Sequence, residues 1–139
     1  MKKYGNKHVT VNFFIWSSFQ YETHTGSYYL LLEYGDYKKL IEKHNVKGAS
    51  NSHLILLGVI EGLNRMKRPA EIIVYSNPLL GITHIYNKDG TLREKAKAEA
   101  NFKDKEMIRA LLQKGKHHMK NIYDEYAKQK IMDERMLYT

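Results

Sequence analysis

Val59-Ile60-Glu61-Gly62-Leu63-Asn64-Arg65-Met66-Lys67-Arg68-Pro69-Ala70-Glu71-Ile72-Ile73-Val74-Tyr75-Ser76-Asn77 holds the end of a helix, a corner and a strand in one short run. Upstream, Leu54, Ile55, Leu56 and Leu57 join Val59, Ile60, Leu63 and Met66. The helix is therefore apolar almost all round, as a helix buried against a sheet is. Ser50 is placed to cap its start, and Pro69 stops it. Glu71–Ser76 is rich in β-branched residues and reads as a strand that Pro78 ends.

Working outward, Val9–Trp16 is nearly continuous in β-branched and aromatic residues, the pattern of a central strand. Ser17–Gly26 is polar and reads as a loop. Ser27–Tyr34 reads as a second strand, and Gly35-Asp36 is a turn signal. Tyr37–Lys43 suits a third, hairpin strand, although its Lys-Lys-Leu-Ile-Glu-Lys composition also suits a helix. The order strand, helix, strand between Val9 and Ser76 implies a parallel crossover beside an antiparallel hairpin. Further on, Asn87-Lys88-Asp89-Gly90 is a turn. Thr91–Asn101 is compatible with either helix or loop. Asn101 and Asp104 have the spacing of a capping pair. Ile108, Leu111, Leu112, Met119, Ile122, Tyr126 and Ile131 recur at mostly three- and four-residue steps, predicting one long C-terminal helix or two hinged near Gly115.

The chain has 139 residues, about one domain. The expectation is a single domain over residues 1–139, with a core in 9–82 and a helical region in 102–137. No apolar run is long enough to span a membrane, and no partner membrane is expected. Cysteine is absent, which excludes disulfides and thiolate metal sites and makes a cytoplasmic location the simplest expectation. The net charge is +8 and the pI about 9.5. Such a balance attracts phosphate backbones or acidic proteins. The excess divides evenly between the first 90 residues and the rest, so it forms no basic tail.

The Val59–Asn77 run resembles the ribonuclease H family of the first, bacterial type: a helix ending Val-Ile-Glu-Gly-Leu, a Lys-Arg-Pro-like corner and a strand ending Tyr-Ser-Asp. Ser50-Asn51-Ser52-His53-Leu54-Ile55-Leu56-Leu57 resembles the family's Thr-Asn-Asn-Arg-Met-Glu-Leu-Leu, and Val11–Ser18 its first strand, which ends Thr-Asp-Gly-Ser. The resemblance runs from about Val9 to Ile82. It implies an α/β fold: a mixed sheet, antiparallel hairpin plus parallel strands, packed with helices. It also implies two magnesium ions held by four carboxylates, because magnesium requires hard anionic oxygens.

At the matched positions this chain carries Trp16, Ile55 and Asn77 instead of acids. Asp124, in Asp124-Glu125-Tyr126-Ala127, resembles the family's Asp-Glu-Leu-Ala, although the fifth strand that should precede it is not evident. The expectations are therefore a degenerate site without cleavage, no metal and no cofactor. Trp16 and Ile55 are expected to meet as an apolar contact worth roughly 2–4 kcal/mol. The family's contact with the sugar-phosphate backbone maps onto Asn51 and Ser52, and the adjoining loop adds Ser17, Ser18 and Tyr21 as expected nucleic-acid contacts.

Other constellations carry less. His117 and His118, with His24 and His53, suggest a metal site, but adjacent histidines on a helix diverge by about 100° and do not chelate together. Glu22 with His24 is an ordinary polar pair for a loop. Ser17 and Ser18 lack a partner base. Tyr21, Tyr28, Tyr29, Tyr34 and Tyr37, interleaved with Lys38, Lys39 and Lys43, fit base stacking with phosphate neutralisation, but strands also favour tyrosine. Two partner readings follow. One is nucleic acid, hybrid or duplex, bound without cutting. The other is a protein partner or homodimer through the C-terminal helix, with Met107, Met119, Met132 and Met136 as an adaptable surface. A rearranged metal-dependent nuclease ranks below both. A degenerate domain of this size would suit a phage or mobile element.

Overall fold

The computed structural model describes residues 9–47, 50–81, 88–89, 91 and 101–137. The elements run β1 (Val9–Gln20), β2 (Thr25–Tyr34), β3 (Tyr37–Lys47), α1 (Asn51–Asn64), β4 (Ala70–Ser76), α2 (Phe102–Gly115), β5 (His118–Tyr123) and α3 (Ala127–Met136). The strands form one mixed sheet in the order β3-β2-β1-β4-β5. β1–β2 and β2–β3 are antiparallel, whereas β1–β4 and β4–β5 are parallel. This is the expected α/β arrangement. The Tyr37 segment settles as strand, because it pairs with β2 from Tyr34↔Tyr37 to Thr25↔Lys47.

Strand alternation divides the sheet's side chains between two faces. Val11, Phe13 and Ile15 of β1 join Ile72 and Val74 of β4 and Ile55, Val59 and Leu63 of α1 in the larger cluster, which Ile108 of α2 completes. Phe14 faces the other way and packs with Leu31 and with Ile131 of α3. The core is thus not confined to residues 9–82, since Ile108 and Ile131 are fully buried. Ser50 caps α1 as expected, its hydroxyl accepting from the His53 amide at 3.2 Å.

Several expectations are corrected. Ser17–Gly26 is not a loop: β1 continues to Gln20, and only residues 21–24 turn. The ladder Ser17↔Tyr28, Ser18↔Ser27 and Phe19↔Gly26 outweighs the polar composition. Gly26 makes that pairing possible, because a Cβ there would lie 2.6 Å from the Ser18 carbonyl oxygen. There is no long C-terminal helix either. α2 ends at Gly115, Lys116 takes the left-handed region, and the fifth strand follows. Met119 and Ile122 are paired with Ile72 and Tyr75 of β4, so their spacing belonged to a strand. The four methionines sit on α2, β5 and α3 and form no single helix surface. Asn101 is left-handed and makes no side-chain cap.

Lys88 and Asp89 form a turn. Asn87 and Gly90, Ile82 at the expected core boundary, and the undecided stretch 92–100 lie outside the described residues, as does the basic opening, residues 1–8. Among the described residues no helix is long and apolar enough to cross a membrane.

Gly62 of α1 sits directly against the Phe13 ring, where a Cβ would come within 2.5 Å of it. Alanine improves helix propensity by up to about 1 kcal/mol. Displacing a fully buried ring costs typically 1–3 kcal/mol. Gly62→Ala should therefore lower the urea midpoint. A higher midpoint would mean that the helix can lift away from the sheet at no cost.

Candidate functional site

The C-terminal ends of β4 and β5 are tied together by a small polar network. The Ser76 hydroxyl, completely buried, donates to the Pro78 carbonyl at 2.8 Å. Asn121 of β5 donates to the Val74 carbonyl at 2.9 Å and to the Ser76 hydroxyl at 3.1 Å, and accepts from the Leu80 amide at 2.7 Å. The Asp124 amide donates to the Ser76 carbonyl at 2.9 Å. These bonds fix the chain through the cis Asn77-Pro78 bond and set the start of α3 beside the end of β4.

The four positions matched from the sequence are distributed as follows. Asn77 is exposed at the end of β4. Asp124 precedes α3, and its carboxylate accepts from the Tyr126 amide at 2.8 Å. Ile55 is buried in the α1-side cluster, whereas Trp16 packs in the α3-side cluster. The expected Trp16–Ile55 contact is therefore absent, because alternation along β1 sends Ile15, not Trp16, toward α1. Among the described residues no three His, Asp or Glu side chains converge to hold a cation. One carboxylate, already engaged by a backbone amide, does not fit a pair of magnesium ions.

The expected contact residues are brought together in part. The Ser17 hydroxyl bridges β1 to α1, with 3.1 Å to the Asn51 side-chain oxygen and 3.2 Å to its carbonyl. Ser18 lies on the opposite face of β1 and is exposed. Tyr21 sits at the hairpin tip, 71% exposed, with its ring edge-on to Phe19. Ser52 lines a cavity of about 140 Å³ together with Ile55, Leu56, Leu80, Asn101 and Lys105.

Lys105 was not singled out in the sequence, since one lysine in a charged helix carries no signal. In the fold it is only 8% exposed; its amide donates to the Asn101 carbonyl, and its ammonium has no hydrogen-bond or ion-pair partner among the described residues. α1 begins at the same place and carries no acidic residue in its first turn. Beside it, His53 is hydrogen-bonded to Asp104 of α2, a contact 51 residues apart in sequence.

The α3 face carries a second arrangement. Trp16 stacks on Tyr29 with centroids 4.9 Å apart, and the Lys128 ammonium stands 4.6 Å over the indole. Tyr29 meets His44 edge-on and lies under Arg135. Glu42 receives Arg135 in two hydrogen bonds and pairs with His44 at 3.0 Å, and His44 reaches the Ser27 hydroxyl at 2.9 Å. Burial alone would raise the Glu42 carboxyl, but the Arg135 and His44 hydrogen bonds and charges outweigh it and hold the pKa below the ordinary glutamate value. His117 serves the backbone: its Nδ1 accepts from the Ala70 amide at 3.1 Å, and burial lowers its pKa.

No protein-family model and no curated protein matches this sequence. Solved structures do match its fold. The ribonuclease H1 of the halophilic archaeon Halobacterium salinarum superposes with a TM-score of 0.57 at 11% identity, over 90% of this chain and 91% of that one. The N-terminal ribonuclease H domain of a Mycobacterium tuberculosis protein, solved fused to maltose-binding protein, gives 0.59 at 14% identity, over 88% and 92%.

The Glu42 pair has a pH signature. A carboxyl whose pKa is lower folded than unfolded stabilises above the unfolded value and loses that contribution as pH falls through the folded one. Thermal melts of the wild type should therefore decline below about pH 4.5 more steeply than those of Glu42→Gln. Parallel declines would show that the Arg135 pair contributes nothing to stability.

Proposed function

We propose, on the premise of a ribonuclease H-like fold, that this chain binds the phosphate backbone of nucleic acid at the start of α1 and does not cut it. The observation that carries this reading is Lys105. A lysine packed into a cavity is favoured by a counter-charge, and Lys105, 8% exposed, has none among the described residues. Here it lines a cavity whose other polar groups are Ser52 and Asn101. The first turn of α1 opens at the same place, and helix N-termini favour anions through their free amides and dipole. A backbone phosphate would supply the missing charge. The sequence resemblance assigns the same contact to Asn51 and Ser52, and Ser17 holds Asn51 in place. Lack of cleavage rests on the residue types at the matched positions: Trp16, Ile55 and Asn77 offer no carboxylate, and Asp124 is left alone.

A labelled RNA–DNA hybrid, titrated at low and high salt with and without magnesium, tests both halves. Binding should weaken steeply as salt rises, and no cleavage should follow magnesium addition. Lys105→Met keeps the volume beside Ile55, Leu56 and Leu80. It should weaken binding roughly 10- to 100-fold, the value of one charge-assisted contact, and reduce the salt slope by about one. Unchanged affinity would remove Lys105 from the interface, and magnesium-dependent cleavage would overturn the non-catalytic reading.

A further inference from the structure

The aromatic row on the α3 face is not used by the contact just described, and its geometry is that of a stacking surface. Trp16 and Tyr29 are register partners on β1 and β2, and their rings stack at 22°. Tyr29 thus covers one face of the indole. On the other side the β1–β4 ladder stops at Phe14↔Tyr75, and β4 itself ends at Ser76. No further strand residue therefore flanks Trp16 there. Among the described residues the cation over that ring is Lys128, whose side chain is exposed. Trp16 is half-buried, packed at the margin of the cluster of Phe14, Leu31 and Ile131. The next residue on this face, Ser18, is exposed and polar.

Lys128 stands over Trp16, Lys130 over Phe14 and Arg135 over Tyr29. Lys130 is paired with Glu33 and Arg135 with Glu42, while Glu134 pairs with Lys38, Asp133 accepts from Gln129 and Asp124 accepts from the Tyr126 amide. Among the described residues Lys128 is therefore the cation of the row with no acidic partner, and the one available to a phosphate.

We propose that Trp16, backed by Tyr29, is a stacking platform for an unpaired base, so that the preferred ligand is single-stranded nucleic acid. A base slides over the indole in place of the Lys128 ammonium, which moves to the neighbouring phosphate. A base locked in a duplex cannot reach the ring, whereas an unpaired base presents its flat face without a sequence requirement. Ser17, adjacent in the chain but on the opposite face, bonds Asn51 of the phosphate contact. One strand passing the edge of β1 beyond Phe14, where its pairing with β4 has ended, therefore reaches both faces. The proposal deepens the nucleic-acid reading above and rests on it.

Trp16 is the only tryptophan of the chain, so intrinsic fluorescence reports on this ring alone. The test uses the wild-type protein at low salt with two end-labelled probes of about a dozen units, within the span such surfaces occupy. One is oligothymidylate and the other an abasic deoxyribose-phosphate oligomer of equal length. Anisotropy gives affinity, and emission gives stacking. The expected result is that oligothymidylate quenches Trp16 and binds roughly 5- to 150-fold tighter than the abasic chain. The abasic chain should bind weakly without quenching. Equal affinities with unchanged emission overturn the platform and leave the backbone reading standing. No binding of either probe overturns both. Quenching that persists at full affinity in Lys105→Met keeps the platform and removes the Lys105 contact.

Discussion

The close approach of α1 to β1 is the constraint on which the rest of the structure depends. Gly62 rests against the Phe13 ring, and at Gly58 a Cβ would lie 3.0 Å from Ile15. Side chains at either position would hold the helix off the sheet. Because the helix lies down, its first turn is delivered to the end of β1, where Ser17 bonds Asn51 and Ser52 enters the cavity. The same depth lets α2 pack behind α1, which brings Asp104 to His53 and buries Lys105. The polar end of the molecule is thus positioned by apolar contacts along the length of the helix.

Strand alternation then divides the chemistry between two faces. Adjacent residues of β1 take opposite parts: Ser17 faces α1 and anchors its N-terminus, while Trp16 faces α3 and joins the aromatic row. Among the described residues neither face gathers three His, Asp or Glu side chains that could hold a cation. Part of the cationic excess is matched locally, as Arg65 is by Glu61 and Arg135 by Glu42. What distinguishes the two regions is the quality of their cations. Lys105 is buried with no side-chain partner among the described residues, and Lys128 lies on the Trp16 ring.

Much of the fold was legible in sequence because its signals are local. The all-round apolarity of Leu54–Leu63 required a helix buried against a sheet. Pro69 and Pro78 bracketed β4, and Ser50 marked a helix start. Where local signals and pairing disagreed, pairing won. The polar Ser17–Gln20 segment is strand because β2 lies beside it. Met119 and Ile122 were assigned to a helix because a three-residue step reads as helical in isolation, yet β4 supplies the ladder that makes them strand.

The sequence by itself determined that Trp16, Ile55 and Asn77 are not acids, and that residues 12–20 and 72–87 hold no Asp or Glu in any register. It also determined the basic balance and the absence of thiols. Only the tertiary structure decided that Trp16 and Ile55 lie on opposite faces, that Asp104 meets His53, and that Lys105 is buried with no side-chain partner among the described residues. These depend on elements far apart in the chain. Burial and pairing are properties of what surrounds a side chain, and a lysine in a charged helix looks the same in sequence whether its ammonium ends in water or in a cavity.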